Sequence, residues 1–359
     1  MGLIHRWARL AALAPALANT LTRAPGLRRL AKAAAGVAQQ REMPAFAPQT
    51  FKRWWRHRPA RFRDMSAQRV LLWADTFNNH FHPETAVAAV EVLEAAGFVV
   101  DVPGGALCCG RPLYDFGMLD TAKRLLRQIL DALASELAAG TPIVVLEPSC
   151  AAVFRDELVN LFPDDENALR LKAQTYLLSE FLEQFAPDFQ TATMQRHAVV
   201  HGHCHQKALM GMHAEEAVLR KHVATVETLD SGCCGMAGAF GFEASHYDVS
   251  IACGERVLLP AVRGAPKDTL IIADGFSCRE QIAQTTDRRA LHLAEALQMA
   301  LHGSERHEGH VVAAHSAWPE RDVKPLPAGG GRLRLALVAL AGVAALATAL
   351  AFWRRGRAR

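Results

Sequence analysis

The chain has few cysteines, and their spacing excludes several common kinds of site. Its 359 residues include eight cysteines, too few for a disulfide scaffold of this size, so we predict reduced thiols. No two have the Cys-x-x-Cys spacing of most zinc sites, and no closely spaced ferredoxin run is present. No Gly-x-Gly-x-x-Gly follows a strand, so the sequence predicts no flavin or FAD site on this chain.

Acidic residues are nearly absent from both ends of the chain. Residues 1–63 hold 13 Lys and Arg against one acid, residues 321–359 hold eight against one, and the part between them holds 19 against 34. A nucleic-acid-binding protein would not have so acidic a body, so nucleic acid is excluded as a partner. Basic ends on an acidic body predict attachment to an anionic membrane or to an acidic partner.

The first 66 residues are predicted to be a basic helical arm with two short amphipathic helices. The start imitates a secretory signal, but Pro15 breaks the apolar run and the basic pattern continues beyond it, which predicts that it is not cleaved. An aromatic and basic segment follows at residues 51–56. Packing of the arm on the body is favoured over contact with a lipid interface, because apolar helix faces usually pack against protein.

Two stretches of the body alternate short apolar runs with helical periodicity, which predicts an α/β fold of two related parallel-sheet lobes. The lobes are predicted at residues 67–195 and 196–302. The predicted elements of the first lobe are strands at 70–73, 98–102 and 143–146 and helices at 83–96 and 119–138. Those of the second are strands at 198–201, 226–229 and 270–273 and helices at 214–222 and 247–259.

The C-terminal part reads as a linker followed by a membrane anchor. Residues 303–332 are rich in His, Pro and Gly, which predicts a linker. A charge-free run within residues 333–353 has Arg on both sides and would span about 28 Å as a helix. We therefore predict a C-terminal transmembrane helix and location at the inner (cytoplasmic) membrane, with the cysteines on the cytoplasmic side.

The cysteines form two similar sets, one in each predicted lobe. Each lobe has a Cys-Cys-Gly and a later Ser-Cys, each after a predicted strand, and the second lobe adds a cysteine between two histidines. Adjacent cysteines are too close for a relaxed disulfide, but their thiolates can reach different irons of one cluster. The second set is Cys204, Cys233, Cys234 and Cys278, and the first is Cys108, Cys109 and Cys150. The four thiols of the second set suffice for a [4Fe-4S] cluster, with zinc as the alternative.

Four stretches carry a family resemblance: residues 81–85 (FHPET), 108–113 (CCGRPL), 229–238 (LDSGCCGMAG) and 273–278 (ADGFSC). They resemble the cysteine-rich CCG domain of iron-sulfur subunits of glycolate oxidase, anaerobic glycerol-3-phosphate dehydrogenase and heterodisulfide reductase. The likeness is strongest to the C-terminal third of large FAD-linked oxidases of D-lactate and related 2-hydroxy acids. It implies a duplicated CCG repeat and an iron-sulfur subunit whose FAD and ferredoxin domains lie on a separate partner.

The chain departs from the full family repeat at three cysteine positions. Thr76 stands at the leading cysteine of the first repeat and Glu147 at the first position of its final pair, while Gly275 stands at that position in the second. The resemblance therefore implies an ordinary cubane cluster or zinc in the second lobe. The first lobe is left with three readings: a labile cluster, a metal completed by Glu147 or His80, or no metal.

The remaining candidates near these sets are single residues. His201 and His246 are predicted to be structural, since histidine often makes a polar contact in a core. His203 and His205 flank a candidate ligand and could donate to its sulfur, which would tune its potential. Cys253 has no partner spacing and is predicted to be a small buried apolar residue.

These observations predict an electron-transfer subunit or fragment of a membrane-associated FAD-linked 2-hydroxy-acid dehydrogenase, passing electrons from a flavoprotein toward quinone. Two other functions stay open. One is a zinc-stabilised membrane scaffold that organises redox partners. The other is a disulfide reductase that uses Cys108-Cys109 or Cys233-Cys234 as a vicinal dithiol.

Overall fold

A computed structural model describes residues 2–25, 27–59 and 67–305, together with 319–321, 323 and 326–327. The strands are β1 Arg69–Trp73, β2 Val99–Asp101, β3 Ile143–Val145, β4 Thr175–Leu177, β5 Met194–Val200, β6 Val223–Thr228 and β7 Leu270–Ile272. The helices are α1 Ile4–Ala11, α2 Pro15–Arg23, α3 Leu27–Ala34, α4 Phe51–His57, α5 Thr76–His80, α6 Pro83–Ala95, α7 Arg111–Asp115, α8 Leu119–Ala132, α9 Ala134–Ala138, α10 Pro148–Ala152, α11 Leu158–Leu161, α12 Glu166–Gln174, α13 Leu178–Phe185, α14 Cys204–Leu209, α15 His213–His222, α16 Tyr247–Glu255, α17 Leu258–Gly264, α18 Phe276–Thr285 and α19 Leu293–Glu305.

The strands form two parallel sheets with the same internal order. The first sheet runs β2-β1-β3-β4 and the second runs β6-β5-β7. The first strand of each half is therefore central, with the second and third on its two sides. This shared order confirms the predicted α/β fold with parallel sheets and is what a duplicated unit would produce.

Alternate residues of the central strands face two different cores. Val70 and Leu72 of β1 join a cluster of buried apolar side chains that also contains Ala198 and Val200 of β5, whereas Trp73 faces a core on the other side of its own sheet. Helices α6 and α19 contribute to the cluster between the sheets. Because parallel sheets are covered on both faces, this central core holds the two lobes together.

The structure differs from the predicted elements at an interrupted helix and at an additional strand. The predicted helix at 247–259 is interrupted, since α16 ends at Glu255 and α17 begins at Leu258. Pro260 sits in the first turn of α17, where its missing N–H is tolerated, but in a continuous helix its ring would clash with a preceding carbonyl. Strand β4, Thr175–Leu177, was not predicted, because it lies directly between helices α12 and α13 and contains one aliphatic residue, so no apolar run marks it.

The N-terminal arm packs on both lobes. It contains four helices rather than the two predicted, since Pro15 begins a new helix at α2. Ala8 is buried with Phe81 and Phe276, and Phe51 is buried in the core between the sheets. Ala38 N–H donates to the carbonyl of Phe242 at 2.8 Å, which fixes the middle of the arm to the second lobe.

The predicted C-terminal membrane anchor is wrong for the structure as described. Among the described residues no helix has both the length and the apolar character needed to cross a bilayer. The longest of them, α8, has 14 residues, or about 21 Å against roughly 30 Å of hydrocarbon. This finding overturns the transmembrane helix and the location that depended on it; the segment 333–353 itself lies outside the described residues.

Candidate metal centre

The second lobe brings its four candidate thiols to one edge of its sheet. Cys204 is the first residue of α14, after β5, and Cys278 lies in the first turn of α18, after β7. Cys233 and Cys234 lie in the loop that follows β6. Because the three strands are parallel, their carboxyl ends meet at a common edge, and the four thiols gather there.

The four thiols interact with one another in order, Cys204 with Cys233, Cys233 with Cys234, and Cys234 with Cys278. The interaction with neighbouring thiols holds the pKa of Cys233 and of Cys278 below the usual thiol value. The same interaction, together with burial, raises the pKa of Cys204 and of Cys234. Thiols gathered in this way release their protons when a metal binds.

Two glycines are required by the way this site is packed. Gly235 has a φ of +89°, and its N–H donates to the Cys233 sulfur at 3.3 Å. A Cβ atom there would lie 2.0 Å from the carbonyl oxygen of Ser250. At Gly275 a Cβ would lie 2.3 Å from the ring of His203. The His203 ring therefore lies against the position where a complete family repeat has another cysteine.

His201, which the sequence predicts to be structural, lies beside two of the four thiols. It follows β5 directly, is buried, and its Nδ1 lies 2.7 Å from Ser231 Oγ. Its Nε2 is buried without a hydrogen-bond partner. The ligand atoms of His201, Cys234 and Cys278 all lie within 4.8 Å of one another. The signal available in the sequence was its place at the end of the same strand that leads to Cys204.

The two histidines that flank Cys204 lie beside it as expected. His203 caps α14 by accepting a hydrogen bond from the His205 backbone N–H at 3.2 Å. The ligand atoms of His203, Cys204 and His205 lie within 4.8 Å of one another. Burial lowers the pKa of His205 to about 4, so its ring is neutral at physiological pH. His246, by contrast, stacks on Phe240 and pairs with Glu243.

The first lobe brings its three thiols together in the corresponding place. Cys109 and Cys150 have their sulfurs 2.8 Å apart, and the Thr76 hydroxyl lies 3.6 Å from the Cys108 sulfur. A hydrogen bond with Cys109 and burial raise the pKa of Cys108. The Cys109 bond lowers the pKa of Cys150, but burial and nearby carboxylates outweigh it and raise that pKa to about 12. These thiols are therefore protonated at neutral pH.

Glu147 is engaged in capping helices rather than turned toward the thiols. Its Oε1 accepts from Ser149 N–H at 3.3 Å and from Ser149 Oγ at 2.8 Å, and its Oε2 accepts from Phe276 N–H at 2.8 Å. It thus joins α10 of the first lobe to α18 of the second. His80 instead contacts Asn79 at 3.0 Å. In the described part of this lobe no three ligand atoms lie within 4.8 Å of one another.

Comparison with known proteins identifies the family. The profile of a family described as a cysteine-rich domain, CCG, matches residues 75–155. Lactate utilization protein A of Bacillus velezensis is 31% identical over 248 residues, which cover 64% of this chain and 98% of that protein. The chain belongs to the cysteine-rich CCG-domain family. The family predicted from the cysteine motifs is therefore confirmed.

A second CCG-family relative is one of the subunits of the anaerobic glycerol-3-phosphate dehydrogenase of Escherichia coli strain K12. It is 28% identical over 290 residues, which cover 79% of this chain and 72% of that protein. Lactate utilization protein A of Geobacillus kaustophilus is 30% identical over 243 residues, covering 64% of this chain and 98% of the relative. The relatives' names thus include a part of a dehydrogenase and a protein of lactate utilization.

The two lobes place corresponding residues at corresponding points. Thr76 is the first residue of its helix after β1, as Cys204 is after β5, and Asp75 and His203 are the respective N-caps. The lobes differ at this ligand position, where the first has a hydroxyl and the second a thiol. Four thiols in one lobe against three in the other make the second the better candidate for a metal centre.

A cavity of about 430 Å³ lies between the lobes and is open to both sets. Cys108, Cys109 and Cys150 line it from the first lobe, and His203, Cys204 and His205 line it from the second. Phe77 and Phe276, stacked with ring centroids 4.3 Å apart, also line it. A group bound in the cavity would therefore contact the first cysteine set, Cys204 of the second set, and the two stacked phenylalanines.

Proposed function

We propose that this CCG-family protein is an electron-transfer component of an oxidoreductase and that its second lobe holds a [4Fe-4S] cluster. The candidate ligands are Cys204, Cys233, Cys234 and Cys278. The observation that carries the proposal is the placement of four thiols at the carboxyl ends of three parallel strands. Such a set fits the four-thiolate ligation of a cubane cluster.

The distances favour a cluster over a single zinc ion. Two separate groups of ligand atoms occur, and within each group the atoms lie within 4.8 Å of one another. One group contains Cys234 and Cys278, and the other contains Cys204, so the thiols do not surround a single point. A zinc ion draws all its ligands around one point, whereas the thiolates of a cluster reach separate irons. The group of His201, Cys234 and Cys278 is the basis of the zinc alternative.

The chain's own groups would adjust the potential of such a centre. Gly235 N–H donates to the Cys233 sulfur, and the unpartnered Nε2 of His201 lies beside Cys234 and Cys278. Hydrogen bonds to the sulfurs of a cluster affect its reduction potential, and the cluster supplies one-electron chemistry when bound. Cys204 and Cys233 are only half-buried, whereas Cys234 and Cys278 are buried. This exposure favours electron exchange on the side of Cys204, which also lines the cavity.

The donor that we propose is a separate FAD- and ferredoxin-containing subunit that oxidises a 2-hydroxy acid, and the acceptor is a quinone. Lactate is such an acid, and it appears in the name of one relative, while another is named as part of a dehydrogenase. The flavin of the partner would carry the substrate chemistry, since this sequence has no dinucleotide motif. The electrons would then pass through the thiolate centre of this chain.

The test is anaerobic reconstitution with iron and sulfide, followed by metal analysis and electron paramagnetic resonance. We expect one cluster in the wild type and none with Cys204→Ser or Cys278→Ser. Cys253→Ser is the matched control, because Cys253 is a half-buried thiol outside the set of four thiols, and it should keep the full iron content. Stoichiometric zinc without reducible iron would refute the proposal.

The same samples distinguish an electron-transfer centre from the alternative function, a vicinal-dithiol disulfide reductase. A dithiol reductase would reduce disulfides in the metal-free state and lose that activity on alkylation. The buried thiols of the first lobe are protonated at neutral pH, since a hydrogen bond with Cys109 and burial raise the pKa of Cys108. Because the thiolate is the nucleophile, we expect no disulfide-reductase activity from Cys108-Cys109. The assay on metal-free protein therefore tests Cys233-Cys234, where the pKa of Cys233 is held below the usual thiol value, and activity there that is lost on alkylation would support the dithiol alternative.

A further inference from the structure

Arg41 of the N-terminal arm is buried in the second lobe without a carboxylate in hydrogen-bond contact. Its side chain is 1% exposed. Nε donates to the carbonyl of Gly241 at 2.7 Å, and Nη2 donates to Ser250 Oγ at 2.8 Å. The guanidinium carbon lies 5.0 Å from the centre of the Tyr247 ring, and Nη1 is buried with no hydrogen-bond partner. All of these contacts are with neutral groups.

Two other buried cations of the described chain are paired with acids. Arg288, which is 3% exposed, lies 2.7 Å from Glu320, and Lys32, which is 2% exposed, lies 3.3 Å from Glu42. Burial of a charge is unfavourable unless an opposite charge or a full set of hydrogen bonds compensates it. Arg41 has neither in direct contact among the described side chains. Arg279, which is 3% exposed, also donates only to neutral side chains, those of Thr85 and Asn78, and its charge acts on Glu295 without a hydrogen bond between them. A charge beyond its hydrogen-bond partners is therefore the compensation open to Arg41.

Arg41 and the Cys-Cys-Gly motif of the second lobe both contact helix α16. Ser250, which accepts from Arg41, has its carbonyl packed against Gly235 of the Cys-Cys-Gly motif. Gly254, one turn later on α16, lies against the carbonyl of Cys234. The guanidinium and the backbone of the Cys-Cys-Gly motif therefore pack against the same short stretch of α16.

The charge of the cysteine centre contributes to the electrostatic environment of Arg41. Burial lowers the pKa of Arg41, while the negative forms of Tyr247, Cys234 and Glu280 act in the opposite direction. Glu280 already accepts from Gln284 at 2.8 Å and lies 3.5 Å from the His82 ring. The Cys234 thiolate, in contrast, gains its negative charge only when the site is loaded. Charge at the thiolate centre is therefore felt at Arg41.

We propose that Arg41 is the counter-cation of the thiolate centre formed by Cys204, Cys233, Cys234 and Cys278. The inference rests on the proposed function only in assigning a metal to those four thiols. Two consequences follow. Binding of a metal at the four thiols stabilises docking of the arm segment around Arg41. The positive charge of Arg41 also favours the reduced, more negative state of a cluster.

The first experiment measures the cluster's midpoint potential in a redox titration followed by electron paramagnetic resonance. Arg41→Met removes the charge and retains much of the bulk, whereas Arg41→Lys retains the charge. For Arg41→Met we expect the equilibrium constant for reduction to fall about tenfold, which is 59 mV to more negative potential. Arg41→Lys should stay much closer to the wild type. Equal potentials in the wild type and Arg41→Met would overturn the proposal.

Lys32→Met is the matched control, since Lys32 is an equally buried cation of the arm with its own carboxylate partner. It should weaken docking of the arm without changing the potential. A shift as large as that of Arg41→Met would mean that loose docking, rather than charge, sets the potential, and would count against the proposal.

The second experiment follows amide hydrogen exchange of the full chain with and without bound metal. The reporter is the Ala38 N–H, which donates to the Phe242 carbonyl. Loading should slow its exchange about tenfold in the wild type and Arg41→Lys, but by less than about twofold in Arg41→Met. An equal effect in all three would refute the coupling. Because zinc also binds thiolates, this readout survives even if the metal is zinc and the electron-transfer proposal fails.

Discussion

Replacement of Gly235 by alanine should damage the second lobe more than any other single methyl group placed at a left-handed glycine of the described chain. An alanine at a φ of +89° costs about 1–2 kcal/mol in backbone strain. Its Cβ would also lie 2.0 Å from the Ser250 carbonyl oxygen, so the backbone must move. Overpacking of this kind adds about 1–3 kcal/mol. Together, Gly235→Ala should lower the free energy of unfolding by about 2–5 kcal/mol.

Alanine substitutions at two other glycines measure the cost of backbone strain apart from the cost of crowding. Gly97 has a φ of +91° and open space around its Cβ position, so Gly97→Ala should show the strain alone, about 1–2 kcal/mol. Gly110, in the first Cys-Cys-Gly, has a φ of +82°, and its nearest neighbour would be Ala122 at 3.4 Å. Gly110→Ala should therefore resemble Gly97→Ala in stability.

The assay is urea unfolding of the reduced, metal-free chain, with iron content after reconstitution measured in parallel. Gly235→Ala should lose most of its iron, because the displaced turn carries Cys233 and Cys234. Gly97→Ala should keep the iron bound by the second lobe. If Gly235→Ala unfolds within about 0.5 kcal/mol of Gly97→Ala and binds iron normally, the close packing against Ser250 does not constrain the site, and the reasoning fails.

Two further predictions concern the lobe interface and pH. Glu147→Ala removes the acceptor of the buried Phe276 N–H and of the Ser149 N–H, so urea unfolding should show a loss of about 2–4 kcal/mol, while Glu147→Gln should lose less. Burial, then the Glu147 charge, raises the pKa of Asp75 from 3.8 to about 6. Because the folded-state pKa is the higher one, the unfolded state binds fewer protons between these values. Stability should therefore fall by up to about 3 kcal/mol as pH rises from 4 to 6. Asp75→Asn should remove that slope in urea titrations, and an unchanged slope would contradict the assignment.

The sequence predicted the parts of this protein that local patterns specify. Apolar runs such as residues 70–73 and 143–146 gave strands close to the observed β1 and β3, and the alternation with helices gave parallel sheets. The cysteine motifs gave the family. Such patterns are readable because strand and helix periodicity and the residues at strand ends act within a few positions of the chain.

Some roles depend on contacts that only the tertiary structure creates. Glu147 stands at a cysteine position in the motif, yet its carboxylate caps a helix 129 residues away. Arg41 reads as one more basic residue of the arm, yet it reaches Ser250, 209 positions later. His201 reads as a core histidine until its free Nε2 is found beside Cys234 and Cys278. Sequence by itself determined which chemistry the chain carries, through residue types at strand ends. Packing of the lobes and the arm decided which charges and donors face it, because those contacts join positions with no local signal in common.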